Sequence, residues 1–272
     1  MIFSGNIRKM RTKLEEGKAK YWLPLYDNLT PNHLISMNEL IGKTISVQFE
    51  HQINCVVTGK KIKKTYGNGM SYDAFMSSPL AVPSIINPEL SQIHKGIALR
   101  DEAWEIEHHL KPHVVYLSKT SGIKVGVTRN QQIPTRWIDQ GATEAIVLAE
   151  TPYRQAAGLI EVALKPHIAD KTAWQRMLKG ETSPDSLLQK KEELTSFIPN
   201  DLQQYLSNNN TITTIEFPVL EYPTKVKSMK LDKVPLFEKK LIGIKGQYWI
   251  FDDNTVINIR SHEGYFISIE TE

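Results

Sequence analysis

Residues 112–168 constrain the fold of this chain more than any other stretch. They open with an apolar run, His113-Val114-Val115-Tyr116-Leu117, and pass a turn at Ser118-Lys119-Thr120-Ser121-Gly122. A second run follows, Ile123-Lys124-Val125-Gly126-Val127-Thr128. Two β-branched runs joined by a short Ser/Gly segment predict a β-hairpin. Pro134 then predicts the start of a helix carrying Arg136, because proline suits a first turn where its missing N–H costs nothing. A third strand-like run, Ala145-Ile146-Val147-Leu148-Ala149, leads to a helix predicted from about Arg154 to Ile168. The order is β-β-α-β-α.

The second of these helices carries the most informative residue. Ala157, Leu164 and Ile168 recur at helical spacing on one stripe, and Glu161 falls on the same stripe. A carboxylate there is expensive to bury without a cation or a donor beside it. Ala156, Ala157 and Gly158 are small enough to let the helix lie close to the sheet and aim Glu161 across it. The alternative is a Glu at the edge of the stripe, reaching solvent or pairing with Arg154 or Arg136.

Composition narrows the class. Hydrophobic content of 40% and charged content of 23% are ordinary for a soluble globular protein, so neither a disordered nor a fibrous chain is expected. No apolar run approaches ~18 residues, which predicts no membrane span. The first residues, Met1-Ile2-Phe3-Ser4-Gly5, show no basic region followed by an apolar core, so no secretory signal is expected. A lone cysteine, Cys55, excludes an internal disulfide framework and fits a reducing, cytoplasmic location. The net charge of +3 is weak evidence for a nucleic-acid partner, and the distribution of charge says more than its sum.

Val115-Tyr116, Lys124-Val125-Gly126-Val127-Thr128, Arg136 and Glu161 together resemble the core of GIY-YIG nucleases, and in particular a phage-type branch of them. The resemblance implies a site made of the first-strand Tyr116, the first-helix Arg136 and the later-helix Glu161, with Glu161 holding a divalent metal, Mg²⁺ or Mn²⁺. Lys124 stands where those nucleases usually place a second Tyr, and Gln140 roughly where many have a His. Over nearly the whole chain, Arg136-Trp137-Ile138-Asp139-Gln140-Gly141-Ala142, Ala169-Asp170-Lys171-Thr172 with Trp174, and Gly243-Ile244-Lys245-Gly246-Gln247-Tyr248 resemble a bacterial family of unknown function built on this core. Trp137, Asp139, Gln140 and Asp170 are the supporting candidates. Many of those relatives carry a cysteine-rich zinc module. Here Cys55 matches its first cysteine, but Thr58, Ser71, Ala74 and Ser91 fill positions where others are expected. One thiolate cannot build a tetrahedral site, so no structural zinc is expected, and packing or hydrogen bonds are expected to replace it.

The segment Gly59-Lys60-Lys61-Ile62-Lys63-Lys64-Thr65-Tyr66-Gly67-Asn68-Gly69 is a second candidate site. Lys60, Lys61, Lys63 and Lys64 suit phosphates, and Tyr66 suits base stacking, on a mobile basic loop. A solvated turn is the competing reading.

The remaining patterns complete an α+β expectation. The run Thr44-Ile45-Ser46-Val47-Gln48-Phe49-Glu50 alternates, with Ile45, Val47 and Phe49 on one face, and residues 53–57 are expected to form a partner strand. Residues 88–111 read as helical, with His108 and His109 on the surface. Thr172 is a candidate N-cap for a helix through Trp174 that ends at Gly180, and Ser183 for a longer one starting at Pro184. Residues 211–217 read as a strand, and strands follow from 241 to 269 with turns at Asp252-Asp253-Asn254 and His262-Glu263-Gly264. The expected organisation is a β-rich segment with basic loop and helix (1–111), a GIY-YIG-like core (112–180), and a helical linker with a β segment (181–272) that completes a small barrel or sandwich with the N-terminal part.

The expected activity is metal-dependent phosphodiester hydrolysis on nucleic acid, a hydrolase reaction, with Arg136 on the phosphate and Tyr116 handling the nucleophile's proton. A free tyrosine titrates near ~10, so Tyr116 needs a cation beside it, and Lys124 is the candidate. The alternative is a nucleic-acid-binding module that has lost catalysis.

Overall fold

The computed structural model describes residues 1–168 and 173–271 of a mixed α+β chain. The chain divides into two compact units, Met1–Met76 with Glu216–Glu272, and Ser77–Ile215. Residues 77–111, grouped by sequence with the N-terminal segment, therefore belong with the second unit.

The N-terminal part of the first unit is almost all strand: β1 (Ile2–Ile7), β2 (Arg11–Glu15), β3 (Lys18–Asp27), β4 (Thr30–Ser36), β5 (Thr44–Asn54) and β6 (Lys61–Ile62), before helix α1 (Tyr72–Ser77). In β5, Ile45, Val47 and Phe49 are buried in alternation, as the period of two demands. Ile53 corrects the expected partner strand. It continues β5 past an irregularity, and the strand that pairs there is β6, with Ile53 opposite Ile62 and Asn54 opposite Lys61.

The second unit begins with 3-10 turns at Pro83–Ile85 and Pro88–Leu90, and its first α-helix is α2 (Glu102–His109). The expected helix from 88 is thus broken up, with Gly96 in the left-handed conformation (φ 75°) closing the turn Ile93–Lys95. Then come β7 (His113–Lys119), β8 (Ile123–Arg129), α3 (Thr135–Asp139), β9 (Glu144–Thr151) and α4 (Arg154–Leu164), in the β-β-α-β-α order that the patterning predicts. Helix α4 stops short of Ile168 because Pro166 has no N–H to extend it. Two further helices, α5 (Trp174–Leu178) and α6 (Leu187–Thr195), precede the short strand β10 (Thr213–Thr214). The expected strand 211–217 shrinks to those two residues. The N-cap of α6 is Ser186, which accepts from the Gln189 N–H, while Ser183 spends its hydroxyl on Asp185. Thr172 lies outside the described residues. The four strands pair antiparallel in the order β10-β9-β7-β8, leaving β8 at an edge. Val115 and Leu117 of β7 pack with Ala157, Ile160 and Leu164 of α4 and with Leu187 and Leu194 of α6.

The chain then returns to the first unit through β11 (Lys227–Ser228), β12 (Leu236–Lys245), β13 (Tyr248–Phe251), β14 (Thr255–Asn258) and β15 (Tyr265–Thr271). Both ends of the sequence share one 11-stranded sheet, in which β5 lies between β12 and β15, and β15 between β5 and β1. Ile2 pairs with Glu270. Two polar side chains inside this unit tie distant segments together: Gln247 exchanges hydrogen bonds with both backbone groups of Met10, and Asn6 donates to Asn54 and to the Gly264 carbonyl.

Candidate functional site

The site is built on the central strand of the second unit. Alternation along β7 sends Val115 and Leu117 into the core beneath α4, and so places Tyr116 on the opposite face. Tyr116 is fully buried. Its cross-strand partner is Gly126 of β8, where an added Cβ would stand 2.6 Å from the phenol oxygen. Glycine at 126 therefore lets the tyrosine ring lie flat across the edge strand. Lys124 is paired with Ser118, one cross-strand position further along the same face.

Helix α3 supplies the other wall. The Tyr116 hydroxyl donates to Gln140 Oε1 at 3.1 Å, and the Trp137 ring stands edge-on to the tyrosine, centroids 6.0 Å apart. Burial pushes the Tyr116 phenol above its ordinary range. The Arg136 guanidinium opposes this by charge and hydrogen bonding, Gln140 by its hydrogen bond, and the Glu161 carboxylate adds to the rise. The cation acting most strongly on the phenol is thus Arg136, a correction to the role expected of Lys124. Lys124 itself is brought down to about 8, by burial first and by Arg136 second. Asp139 is half-buried on α3, and Asp170 lies outside the described residues.

Glu161 approaches from α4 and is mostly buried. Burial raises its carboxyl above the ordinary range; Lys165 pulls it down, Glu89 pushes it up, and Arg154 and Arg136 pull it down. Its ion pair is with Lys165, Nζ to Oε2 3.9 Å, one helical turn on. The expected partner Arg154 is engaged elsewhere: it donates to the Ser84 carbonyl (2.6 Å) and the Ile85 carbonyl (2.8 Å), tying the Pro83–Ile85 turn to α4. Gly158 does not serve the approach of α4 to the sheet. Its missing side chain makes room for the backbone of Pro88 and Glu89. That contact brings Glu89 to α4, where its charge acts on Glu161. Glu89 Oε2 is buried with no protein hydrogen-bond partner. Sequence reasoning missed the contact of Gly126 with Tyr116, read Gly158 against the sheet instead of against Pro88 and Glu89, and missed Glu89 altogether. The signal for the first was present in the Val125-Gly126-Val127 run, since glycine inside a strand marks a close approach.

Next to this site lies a buried histidine pair. His109, expected on the surface, is buried, with Nδ1 3.4 Å from Ser84 Oγ, 3.5 Å from Ser91 Oγ and 4.0 Å from Glu105 Oε2. Burial, with Arg154 nearby, holds it down to about 3. His113 donates from Nδ1 to the Lys111 carbonyl at 2.7 Å, and its buried Nε2 has no partner; burial brings it to about 4.

The model of a protein family described as a protein of unknown function, DUF2797, matches residues 42–267. The chain belongs to this family. No curated protein and no solved structure matches it. The DUF2797 span takes in every residue of the site described here and reaches into both units.

Within that span the lysine segment lies in the first unit. Lys60, Lys61, Lys63 and Lys64 are exposed. The Tyr66 ring is already engaged, edge-on to Tyr72 and under Lys64 Nζ at 5.2 Å, which leaves it poorly placed for a base. Cys55 is buried, and its Sγ accepts the N–H groups of Ser71 (3.2 Å) and Thr58 (3.5 Å). Burial raises this thiol, and those donors outweigh burial to bring it to about 7. Among the described residues no three of His, Cys, Asp and Glu are grouped so that they could hold a metal ion, and no helix is long and apolar enough to cross a membrane.

Proposed function

We propose that this DUF2797 chain is a metal-dependent nucleic-acid phosphodiesterase whose second unit is a GIY-YIG-like core. The sheet shared by both chain ends supports reading the remaining β segments as one small barrel, interrupted in sequence by that core. What supports the proposal is that α3, which bears Arg136, is tied to Tyr116 of β7 through the Gln140 hydrogen bond and the Trp137 ring, with the charges of Arg136 and of Glu161 from α4 both acting on the phenol.

The residues fit a hard divalent cation. The charge of Glu89 acts on Glu161, which makes the two the candidate carboxylate ligands, and one oxygen of Glu89 is buried without a protein partner. When bound there, Mg²⁺ or Mn²⁺ offsets charge on the scissile phosphate and the leaving oxygen. Arg136 grips the phosphate in the forked geometry that lysine reproduces poorly. Tyr116 is held protonated by burial and donates to Gln140, so its oxygen lone pair orients a water rather than deprotonating it. Lys124, titrating near about 8, is the better proton acceptor near neutral pH. A second reading, nucleic-acid binding without cleavage, is favoured by the Glu161–Lys165 pair, which already neutralises the candidate metal ligand.

The test is incubation of the protein with labelled single-stranded, duplex and branched DNA and RNA, with Mg²⁺ or Mn²⁺ and with chelator. Cleavage that needs the metal and is lost in Glu161→Gln supports the phosphodiesterase. Binding with no cleavage under any condition transfers the assignment to the binding module.

A further inference from the structure

In the first unit a concave pocket of about 540 Å³ is lined by Phe49, His51, Lys61, Ile62, Lys63 and Asp232. The backbone has been bent to form it. Pairing between β5 and β15 passes from Ile53 opposite Tyr265 to Phe49 opposite Ile267, so β5 carries extra residues across that interval. Such a bulge re-aims side chains. At its centre His51 adopts φ 53°, a left-handed conformation that costs a side-chain-bearing residue energy and marks a position set by its surroundings. The exposed His51 ring is thereby set beside Phe49, centroids 5.2 Å apart, and Phe49 in turn lies 4.9 Å from Tyr265.

Charge in the pocket is arranged without being cancelled. The Tyr265 hydroxyl donates to both oxygens of Asp232, at 3.2 and 3.0 Å, and His262 Nε2 accepts the adjacent Leu231 N–H at 3.2 Å, which fixes the segment bearing Asp232. Lys61 and Lys63 line the same pocket, yet none of Lys61, Lys63 and Asp232 forms an ion pair among the described residues. Two cations, a fixed acceptor and an exposed aromatic face in one concavity suit a ligand with matching parts: an anion, N–H donors and a flat π-system. A bare phosphate would be repelled by Asp232, and an apolar peptide would leave the charges unused.

We propose that this pocket holds one unpaired nucleotide of a single-stranded nucleic acid, the base stacked on His51 with its edge donating to Asp232, and the phosphate between Lys61 and Lys63. The inference shares with the proposed function only the premise that the substrate is nucleic acid. It replaces Tyr66 by His51 as the stacking residue and divides the four lysines into two that line the pocket and two that do not.

The test is fluorescence anisotropy on the full chain with a labelled single-stranded octanucleotide, in chelator so that cleavage cannot intervene. His51→Gly keeps the backbone, because glycine adopts positive φ freely, and it should weaken binding about tenfold with an unchanged melting temperature. Lys61→Gln with Lys63→Gln should lower the salt slope by about 1.4, about 0.7 for each lost phosphate contact on a single strand, whereas Lys60→Gln with Lys64→Gln should leave it unchanged. Asp232→Asn should weaken competition by GMP, whose two adjacent N–H donors suit a carboxylate, more than competition by UMP. Wild-type affinity in His51→Gly, a blunt duplex binding as tightly as the single strand, or equal effects from the two lysine pairs would each overturn the pocket. The assay reads binding in chelator and the phosphodiesterase reading is tested by metal-dependent cleavage, so failure here is distinguishable from failure of that reading.

Discussion

The two units bury polar groups in different ways. In the first, Asn6 and Gln247 hold backbone groups of neighbouring segments, the buried cation Lys245 faces the rings of Phe217 and Tyr222, 5.4 and 5.0 Å from their centroids, and the buried Thr12 hydroxyl lacks a hydrogen-bond partner. In the second, buried atoms at Glu89, His94, Glu105, His113, Ser118 and Trp137 have no protein hydrogen-bond partner. Among the described residues no carboxylate or imidazole of the first unit is in that position. Partnerless buried groups cost folding energy, roughly 1–3 kcal/mol each, and persist where something other than stability selects them. The contrast separates a unit organised for stability from one that holds reactive groups ready.

The largest expected effect tests that separation directly. Glu161→Gln and Glu89→Gln should each lower metal-dependent cleavage by about 10²–10³-fold while leaving the melting temperature nearly unchanged. In the first unit Asn6→Ala should do the reverse, leaving the Asn28 N–H without its acceptor and removing one of the two donors to the Gly264 carbonyl, and costing about 1–3 kcal/mol with activity per folded molecule retained. Denaturant melts and initial cleavage rates on the three variants decide it. A strongly destabilised Glu89→Gln would show that this carboxylate is structural.

Acid should divide the units next. His109 and His113 have folded pKa values below the unfolded value near 6.5, so the unfolded chain binds protons first, and stability falls as pH drops below about 6.5. At pH 5 the loss is about 2 kcal/mol per histidine. Glu263 in the first unit has the opposite sign: burial raises it to about 7, the folded chain protonates first, and stability rises as pH falls from 7 towards the unfolded carboxylate range. In the first unit Glu263 opposes the buried His262, whose lowered pKa has the sign of the pair, so hydrogen exchange resolved by peptide at pH 7 and 5, corrected for intrinsic rates, should show more protection lost in the second unit than in the first. Parallel changes in both would remove the contrast. On the activity side, cleavage should rise with pH through about 8 if Lys124 accepts the proton, and Lys124→Gln should abolish that limb.

Two glycines give a smaller, paired comparison. An added Cβ at Gly126 meets the Tyr116 hydroxyl oxygen at 2.6 Å, and one at Gly243 meets Val219 atoms at 2.9 Å, including the backbone Cα. Either Gly→Ala change should cost about 1–3 kcal/mol. Tyr116→Phe removes the closest atom and should recover part of the cost of Gly126→Ala, but none of the cost of Gly243→Ala. Double-mutant melts measure the coupling.

What was legible in the sequence follows the range of the interaction that encodes it. The β7–β8 hairpin, β9 and α4 could be read because alternation and β-branched runs act between neighbours. The caps were less legible: Ser183 and Ser186 both suit an N-cap, and the Asp185 carboxylate takes the first. Glu89 and His109 were illegible, because their burial depends on a Gly158 contact and an Arg154 clamp that join segments about 70 residues apart. The division of the lysine segment by the bulge at His51 needed the β5–β15 register in the same way.

The smallest expected effect concerns Glu161 itself and bears most directly on whether the second unit stores cost at its site. Burial is the largest influence on this carboxyl and raises it, so the ionised form destabilises the fold relative to a solvated carboxylate. Glu161→Gln keeps the shape and removes the charge. It gives up the Lys165 contact, a single helical-surface pair at 3.9 Å worth no more than about 0.5 kcal/mol. It also relieves repulsion from Glu89, which acts in the same direction as burial. The balance favours a variant at least as stable as wild type at pH 7, by less than about 1 kcal/mol. The sign can be checked through pH. A group raised in the folded state binds its proton there first, so the advantage of the variant should shrink as pH falls towards 4.5 and the wild-type carboxyl becomes neutral. Denaturant midpoints at pH 7 and 5 on both proteins measure this. A variant less stable at pH 7 would mean that Arg154 and Arg136 need the charge of Glu161 more than burial penalises it, making the residue a structural counter-ion first.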